Sequence, residues 1–263
     1  MIDIINIRSA LGVNPGITEN TGKFLVSEYF HLLILNYLYD TFFINKLSLI
    51  GGANLRIIQG IDRFTEDLDF DCKNMSKDDF VEMVRSIASF FEREGIEVKY
   101  KIDDKDPLKA NKCKLIFPEV CKDLGIVPKK NSFFQLNIEV QDQMIPYEQE
   151  LVIVEKCGFG FIVQTPPLNI LCAMKLSSLF NRLRGNDFYD VMFLLERVAP
   201  NTDFLVRRSE VGTYEEFKNM LLEKIESIDL SNPQKYSGRF LFDKMKAKDI
   251  GHFNAFLKRF FCK

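Results

Sequence analysis

Residues 51–71, GGANLRIIQGIDRFTEDLDFD, decide the fold class. The run Asp67, Leu68, Asp69, Phe70, Asp71 has the two-residue period of a strand with one buried face, so Leu68 and Phe70 point inward and the aspartates outward. Before it, ANLRIIQG has the pattern of a helix closed by Gly60. Before that, a short apolar run, LSLI at 47–50, ends in the Gly51–Gly52 pair. The order is therefore strand, glycine turn, helix, acidic strand. Two carboxylates two positions apart on a strand project from the same face, roughly 7 Å apart. Phosphoryl transfer needs such convergence, because the metal ions that neutralise a triphosphate and lower the pKa of an attacking hydroxyl must be held by carboxylates. The glycine turn adds open backbone N–H groups and the positive end of a helix, a seat for the triphosphate.

Three other readings compete for the acidic strand. Its alternation also suits the wet face of an edge strand. A calcium loop would use Asp67, Asp69 and Asp71 with Asp78 at the twelfth position. It requires glycine where Cys72 stands, however, and Leu68 and Phe70 suit a solvated loop poorly. A phosphatase-type DxD motif would follow an uninterrupted apolar strand, whereas Asp67 follows Gly60-Ile-Asp-Arg-Phe-Thr-Glu. The last two rank below nucleotidyl transfer.

Outward from this stretch the N-terminal part is mixed α/β. Residues 24–43 carry apolar side chains on most turns of a helix. Ser76 opens a helix through about residue 94, with Phe80, Val81, Val84, Ile87, Ala88 and Phe91 as its apolar face and Gly95 as its stop. Strands are expected at IEVKYKI (96–102), KCKLIF (112–117) and FFQLNIEVQD (133–142), with a loop bearing Lys122, Lys129 and Lys130 between the last two. Thr165-Pro166-Pro167 breaks the chain, and the pattern from Leu168 is helical, including Tyr214 to Ile228 and Phe240 to Phe261. This predicts an α/β (α+β) fold in which a mixed sheet with flanking helices spans 1–164 and a helical C-terminal lobe spans 165–263.

Composition narrows the classes. A 263-residue chain with 46% hydrophobic residues and 27% charged residues can bury a sizeable core. A net charge of −2 gives no overall pull on nucleic acid, so such binding must come from local basic patches. The six cysteines form no CxxC pair, and with only His31 and His252 beside them a zinc site is not expected. The N-terminus carries no secretory leader pattern and no apolar run is long enough to span a bilayer, so the expected setting is cytoplasmic, with reduced thiols and no membrane contact.

The ordered set of glycine pair, Leu55-Arg56, Gly60, Arg63-x-Thr65-x and DLDF resembles the first motif of the AbiEii-type nucleotidyltransferase toxins, which have a DNA polymerase beta-like fold. The resemblance places Gly51 and Gly52 at the phosphate-binding turn and Asp67 and Asp69 at the metal-binding pair. It makes Arg56, Arg63 and Thr65 nucleotide-side positions. A third carboxylate comes from a neighbouring strand in such enzymes, and Glu139 in LNIEVQD is the candidate; an outward-facing strand glutamate explains it equally well. The segment 166–195 resembles the family's later motif, with Lys175, Arg182, Asp187 and Asp190 on matching positions. A lysine there is a point charge for phosphates, and an aspartate orients it or accepts a proton from the acceptor hydroxyl. Apart from the resemblance, Lys175 fits a solvated helix face and Asp190 a charge near a helix N-terminus. Met174 and Asn186 depart from the family pattern.

The resemblance implies a toxin of a bacterial toxin-antitoxin, or abortive-infection, pair. Its expected chemistry is transfer of a nucleotide from an NTP, with Mg2+ or Mn2+, to an acceptor such as a tRNA 3′ end or another RNA, restrained by a cognate antitoxin. The alternative is a nucleotide-binding regulator of the same fold without turnover. Beyond residue 197, Arg207, Arg208, Lys244, Lys246, Lys248, Lys258 and Arg259 suit either an RNA-facing surface or solvated helix faces. Phe253, Phe256, Phe260 and Phe261 have the spacing of a core stripe.

Overall fold

The computed structural model describes residues 19–103, 110–124, 133–183, 185–228, 230 and 250–261. Lys129, Lys130, Lys244, Lys246 and Lys248 lie outside them. By contacts the chain forms two compact units. The first takes in residues up to Ile58, Thr65–Gln143 and Glu150–Thr165; the second takes in Gln59–Phe64, Met144–Gln149 and the residues from Pro166 onward.

The first unit is built on a five-stranded mixed sheet of spatial order β1-β2-β5-β4-β3. Its strands are β1 (Leu47–Ile50), β2 (Asp67–Cys72), β3 (Lys99–Asp103), β4 (Asn111–Phe117) and β5 (Phe134–Gln141). The β2–β5 pair is parallel and the other three pairs are antiparallel. Helix α1 (Glu19–Tyr39) precedes β1, separated from it by a short 3-10 turn at Phe42–Lys46, and so ends four residues before the pattern suggested. Helix α2 (Gly51–Ile57) begins on the glycine pair itself and stops before Gly60. Helix α3 (Lys77–Arg93) is capped by Ser76 in a reciprocal box with Asp79, and its buried face has Met83 where Val81 was expected, Val81 being half-buried. A short helix, α4 (Val120–Asp123), follows β4.

The sheet's inner face and the helices share an aromatic core. Phe30 on α1 stacks on Phe91 of α3 with centroids 5.3 Å apart, and meets Phe117 of β4 edge-on at 4.9 Å and Phe134 of β5 edge-on at 5.3 Å. Stacked and edge-on pairs of this kind add about 0.5–1.5 kcal/mol each beyond their buried area. This packing holds β5, and through it β2, in register, and so sets the outer face.

A hairpin of β6 (Glu150–Lys156) and β7 (Phe159–Thr165) was not expected from the sequence. Its two-residue turn is Cys157-Gly158, both at positive φ (53° and 82°), the geometry a tight hairpin requires. Asn54, wholly buried in α2, donates to the Leu49 carbonyl at 2.8 Å and to Thr165 Oγ1, which ties the glycine turn to β1 and β7.

The second unit contains the helices α5 (Leu168–Arg182), α6 (Gly185–Leu195), α7 (Thr202–Ser209), α8 (Tyr214–Glu226) and α9 (Phe253–Phe261). Phe180 packs on Phe217 and Phe188 meets Phe253 edge-on at 4.9 Å, so Phe253 is a core residue as its spacing suggested.

Candidate active site

The outer face of β2 is placed by its inner one. Leu68 and Phe70 are buried in the core, which turns Asp67 outward to an exposed position and leaves Asp69 half-buried. Asp71, next along that face, is buried, and its Oδ1 accepts from the Gln143 backbone N–H at 2.9 Å. Gly51 sits at φ +68°, and a Cβ there would collide with the Asp69 carboxylate, so only glycine lets the turn approach this closely.

The parallel β2–β5 ladder sets Asp67 beside Asn137 and Asp69 beside Glu139. Adjacent strands lie roughly 4.8 Å apart, so the third carboxylate named from the sequence shares a row and a face with the second. Asn137 Nδ2 donates to Asp67 Oδ1 at 2.8 Å, and Lys112 Nζ of β4 donates to Glu139 Oε2 at 2.6 Å. The Thr65 hydroxyl donates to the Asp67 carbonyl at 3.3 Å, at the entry to β2. Arg56 is paired with Glu28 of α1. Its Nε donates to Glu28 Oε2 at 2.9 Å, and Glu28 also receives Lys156 at 2.6 Å. Burial would raise the Glu28 carboxyl, but the two cations outweigh it and hold the group below its ordinary value. His31 on α1 is fully buried, and burial pushes its imidazole down to about 4 against the opposing pull of Asp67 and Glu28. Neither ring nitrogen makes a well-formed hydrogen bond, although the Glu66 backbone is near enough to favour the proton slightly.

In the second unit the remaining sequence-predicted residues form two ion-paired groups. Asp190, with no exposure, receives Arg63 through both oxygens (Nε–Oδ1 2.5 Å, Nη2–Oδ2 2.7 Å) and Lys175 at 2.7 Å. Burial would raise Asp190, but Arg63 and Lys175 together hold it below the usual carboxylate range. Asp187, also buried, takes a bidentate pair from Arg182, both contacts at 2.8 Å. Lys175 is buried against Asp190, not on a solvated helix face. Met174 is buried on α5, and Asn186 stands in the first turn of α6.

The sequence of residues 33–261 matches the family profile described as the nucleotidyl transferase AbiEii toxin of type IV toxin-antitoxin systems. The chain belongs to the AbiEii family. It is thus a nucleotidyltransferase of the toxin type. Solved structures share the fold at low identity. JHP933 from Helicobacter pylori is 20% identical, with 89% of this chain and 91% of that chain covered and a TM-score of 0.52. MenT4, a nucleotidyltransferase toxin from Mycobacterium tuberculosis H37Rv, is 15% identical, with 98% and 90% covered and a TM-score of 0.55. No curated protein matches the sequence.

Within this AbiEii chain, sequence reasoning missed Asn137, Lys112 and Asn54. Their signal was present only in part: polar residues alternate on β5 and β4, but what they face depends on pairing between distant segments. Among the described residues no three His, Cys, Asp or Glu side chains converge into a ready-made metal cluster. No helix among them is long and apolar enough to cross a membrane. Cys72, Cys113 and Cys172 are buried, and burial pushes each thiol up to about 12, which leaves them unreactive. A cavity of about 390 Å³ in the second unit, lined by Tyr147, Asn169, Asn201, Phe204 and Arg207 among others, contains none of the predicted site residues.

Proposed function

We propose that this AbiEii-type toxin transfers a nucleotide from an NTP to an RNA acceptor, a tRNA 3′ end in the first instance, on the outer face of β2 and β5, and that a cognate antitoxin restrains it. The observation that carries the reading is the placement of Asp69, in one row with Glu139 and directly against the Gly51 turn. A triphosphate seated on that turn would meet the Asp69 carboxylate at contact distance. Only a cation between them relieves that repulsion, and oxygen donors suit Mg2+ or Mn2+. Magnesium is commonly bound by one or two carboxylates plus substrate phosphates, so Asp67 and Asp69 would hold it without a preformed three-ligand cluster. When bound, the ion neutralises phosphate charge and lowers the pKa of the attacking hydroxyl.

In this reading the chain's own groups position the reactants. Asn137 fixes the orientation of Asp67, and Lys112 restrains Glu139 until substrate enters. The backbone of Gly51 and Gly52 seats the phosphates, and Thr65 fixes the start of β2. Asp190 orients Arg63 and Lys175, and Asp187 orients Arg182. The substrate pair is tested by incubating purified protein and magnesium with each labelled NTP and total tRNA: one NTP should label RNA. No labelling with any NTP on tRNA or other cellular RNA would remove the acceptor assignment.

A further inference from the structure

The open face of the five-stranded sheet changes sign from one side to the other. Two rows cross it at right angles to the strands. One contains Asp69, Glu139, Lys112 and Asp103, and is internally neutralised, with Lys112 bonded to Glu139. The other contains Asp67, Asn137, Lys114 and Lys101. At its acidic end Asn137 serves Asp67; at its basic end Lys114 and Lys101 stand directly opposite each other on β4 and β3. Both are exposed, and neither makes an ion pair with a described residue. Lys99, exposed two positions before Lys101 on β3, extends the same side and meets only Glu97, at 3.3 Å.

Like charges set opposite each other across a ladder destabilise a sheet. An arrangement that keeps Lys101 and Lys114 face to face, when a one-residue change would relieve it, is explained by an anionic ligand that bridges them. The distances favour a long polyanion over the nucleotide: β4 and β3 lie about 10 and 15 Å from β2, at two and three strand spacings. A chain whose net charge is −2 has no general attraction for nucleic acid, so a local patch must supply it.

We infer that Lys114 and Lys101, with Lys99, form the track that holds the sugar-phosphate backbone of the RNA acceptor while its end reaches Asp67 and Asp69. The inference rests on the nucleotidyl-transfer reading of those carboxylates. The track reads phosphate and not sequence, so it aligns the acceptor without selecting it.

The test uses the full chain and a fluorescein-labelled RNA hairpin with a single-stranded 3′ tail, titrated without NTP between 50 and 200 mM salt, alongside calorimetry of NTP with magnesium. The Lys101→Gln, Lys114→Gln double variant should bind the RNA at least tenfold more weakly at the lowest salt. Its log affinity against log salt should be shallower by about 1.4 to 1.8, two phosphate contacts' worth. Its NTP affinity should equal that of wild type, and its thermal midpoint should not fall, since a repulsion is removed. Equal RNA affinity and slope in wild type and variant would overturn the track and leave the acceptor reading standing. No RNA binding by wild type would overturn both. RNA binding that behaves as expected in a protein that binds no NTP would uphold the track and remove the transfer reading.

Discussion

Gly51 and Asp69 are in contact across the start of α2: the glycine stands at φ +68° and leaves no room for a Cβ beside the aspartate carboxylate. The turn and the acidic strand are thus one unit, and a change in either displaces the other.

Gly51→Ala should therefore do more than strain the backbone. A left-handed conformation costs a non-glycine residue about 1–3 kcal/mol, and here the collision with Asp69 is added. Gly60→Ala is the matched comparison, since Gly60 has φ +72° but open space around its Cβ position. Both variants should lose stability in urea unfolding, while only Gly51→Ala should lose magnesium-dependent NTP binding. Equal binding losses in the two would separate the turn from the site.

Asp67→Asn and Asp69→Asn should leave the fold intact, because the two carboxylates are exposed and half-buried. Each removes an anionic oxygen ligand. Calorimetry of NTP with magnesium should show weaker binding in both, with unchanged circular dichroism. Wild-type affinity in both variants would remove the metal assignment.

The Arg63–Asp190–Lys175 group should behave as structure. Asp190→Asn leaves two cations partly uncompensated in a buried site and should cost about 3–5 kcal/mol. Lys175→Met leaves Asp190 still held by both contacts from Arg63 and should cost less, about 1–3 kcal/mol. Denaturant midpoints check both values. An unchanged midpoint with lost NTP affinity in Lys175→Met would return that lysine to direct phosphate contact.

His31 should make the fold acid-sensitive. Its folded pKa of about 4 lies below the ordinary 6.5, so the unfolded chain binds the extra proton and stability falls as pH drops from about 6.5 toward 4. The full effect is roughly 3 kcal/mol at 1.36 kcal/mol per pKa unit. Glu28 and Asp190 have lowered pKa values, so their contributions are lost only below the ordinary carboxylate range. Urea unfolding at pH 7.5 and pH 5 should thus show a loss of about 2 kcal/mol that His31→Leu abolishes. The same pH dependence in the variant would assign it to another group.

The strand, glycine turn and acidic strand were legible because each is written in local periodicity: Leu68 and Phe70 alternate with aspartates, and Gly51 marks a turn. The capped helix after Ser76 was legible for the same reason. The β6–β7 hairpin was not, since its turn, Cys157-Gly158, places a cysteine at positive φ, and only the glycine is an ordinary signal. The partners within the site were legible only as residue types. Asn137 meets Asp67 across 70 residues of sequence, and Arg63 meets Asp190 across 127, and no local pattern records either pairing. Lys175 looked solvated for this reason, because its burial depends on a carboxylate brought in from the next helix.

The most direct test of the central claim is the rate of magnesium-dependent transfer of labelled nucleotide to RNA by wild type and by Asp69→Asn, each shown to be folded by circular dichroism. The account predicts labelling by wild type that vanishes on chelation of magnesium, and labelling by Asp69→Asn at least 100-fold slower, on the order of 3 kcal/mol of lost transition-state stabilisation. Transfer by Asp69→Asn at the wild-type rate would contradict it and place the chemistry elsewhere than on the outer face of β2.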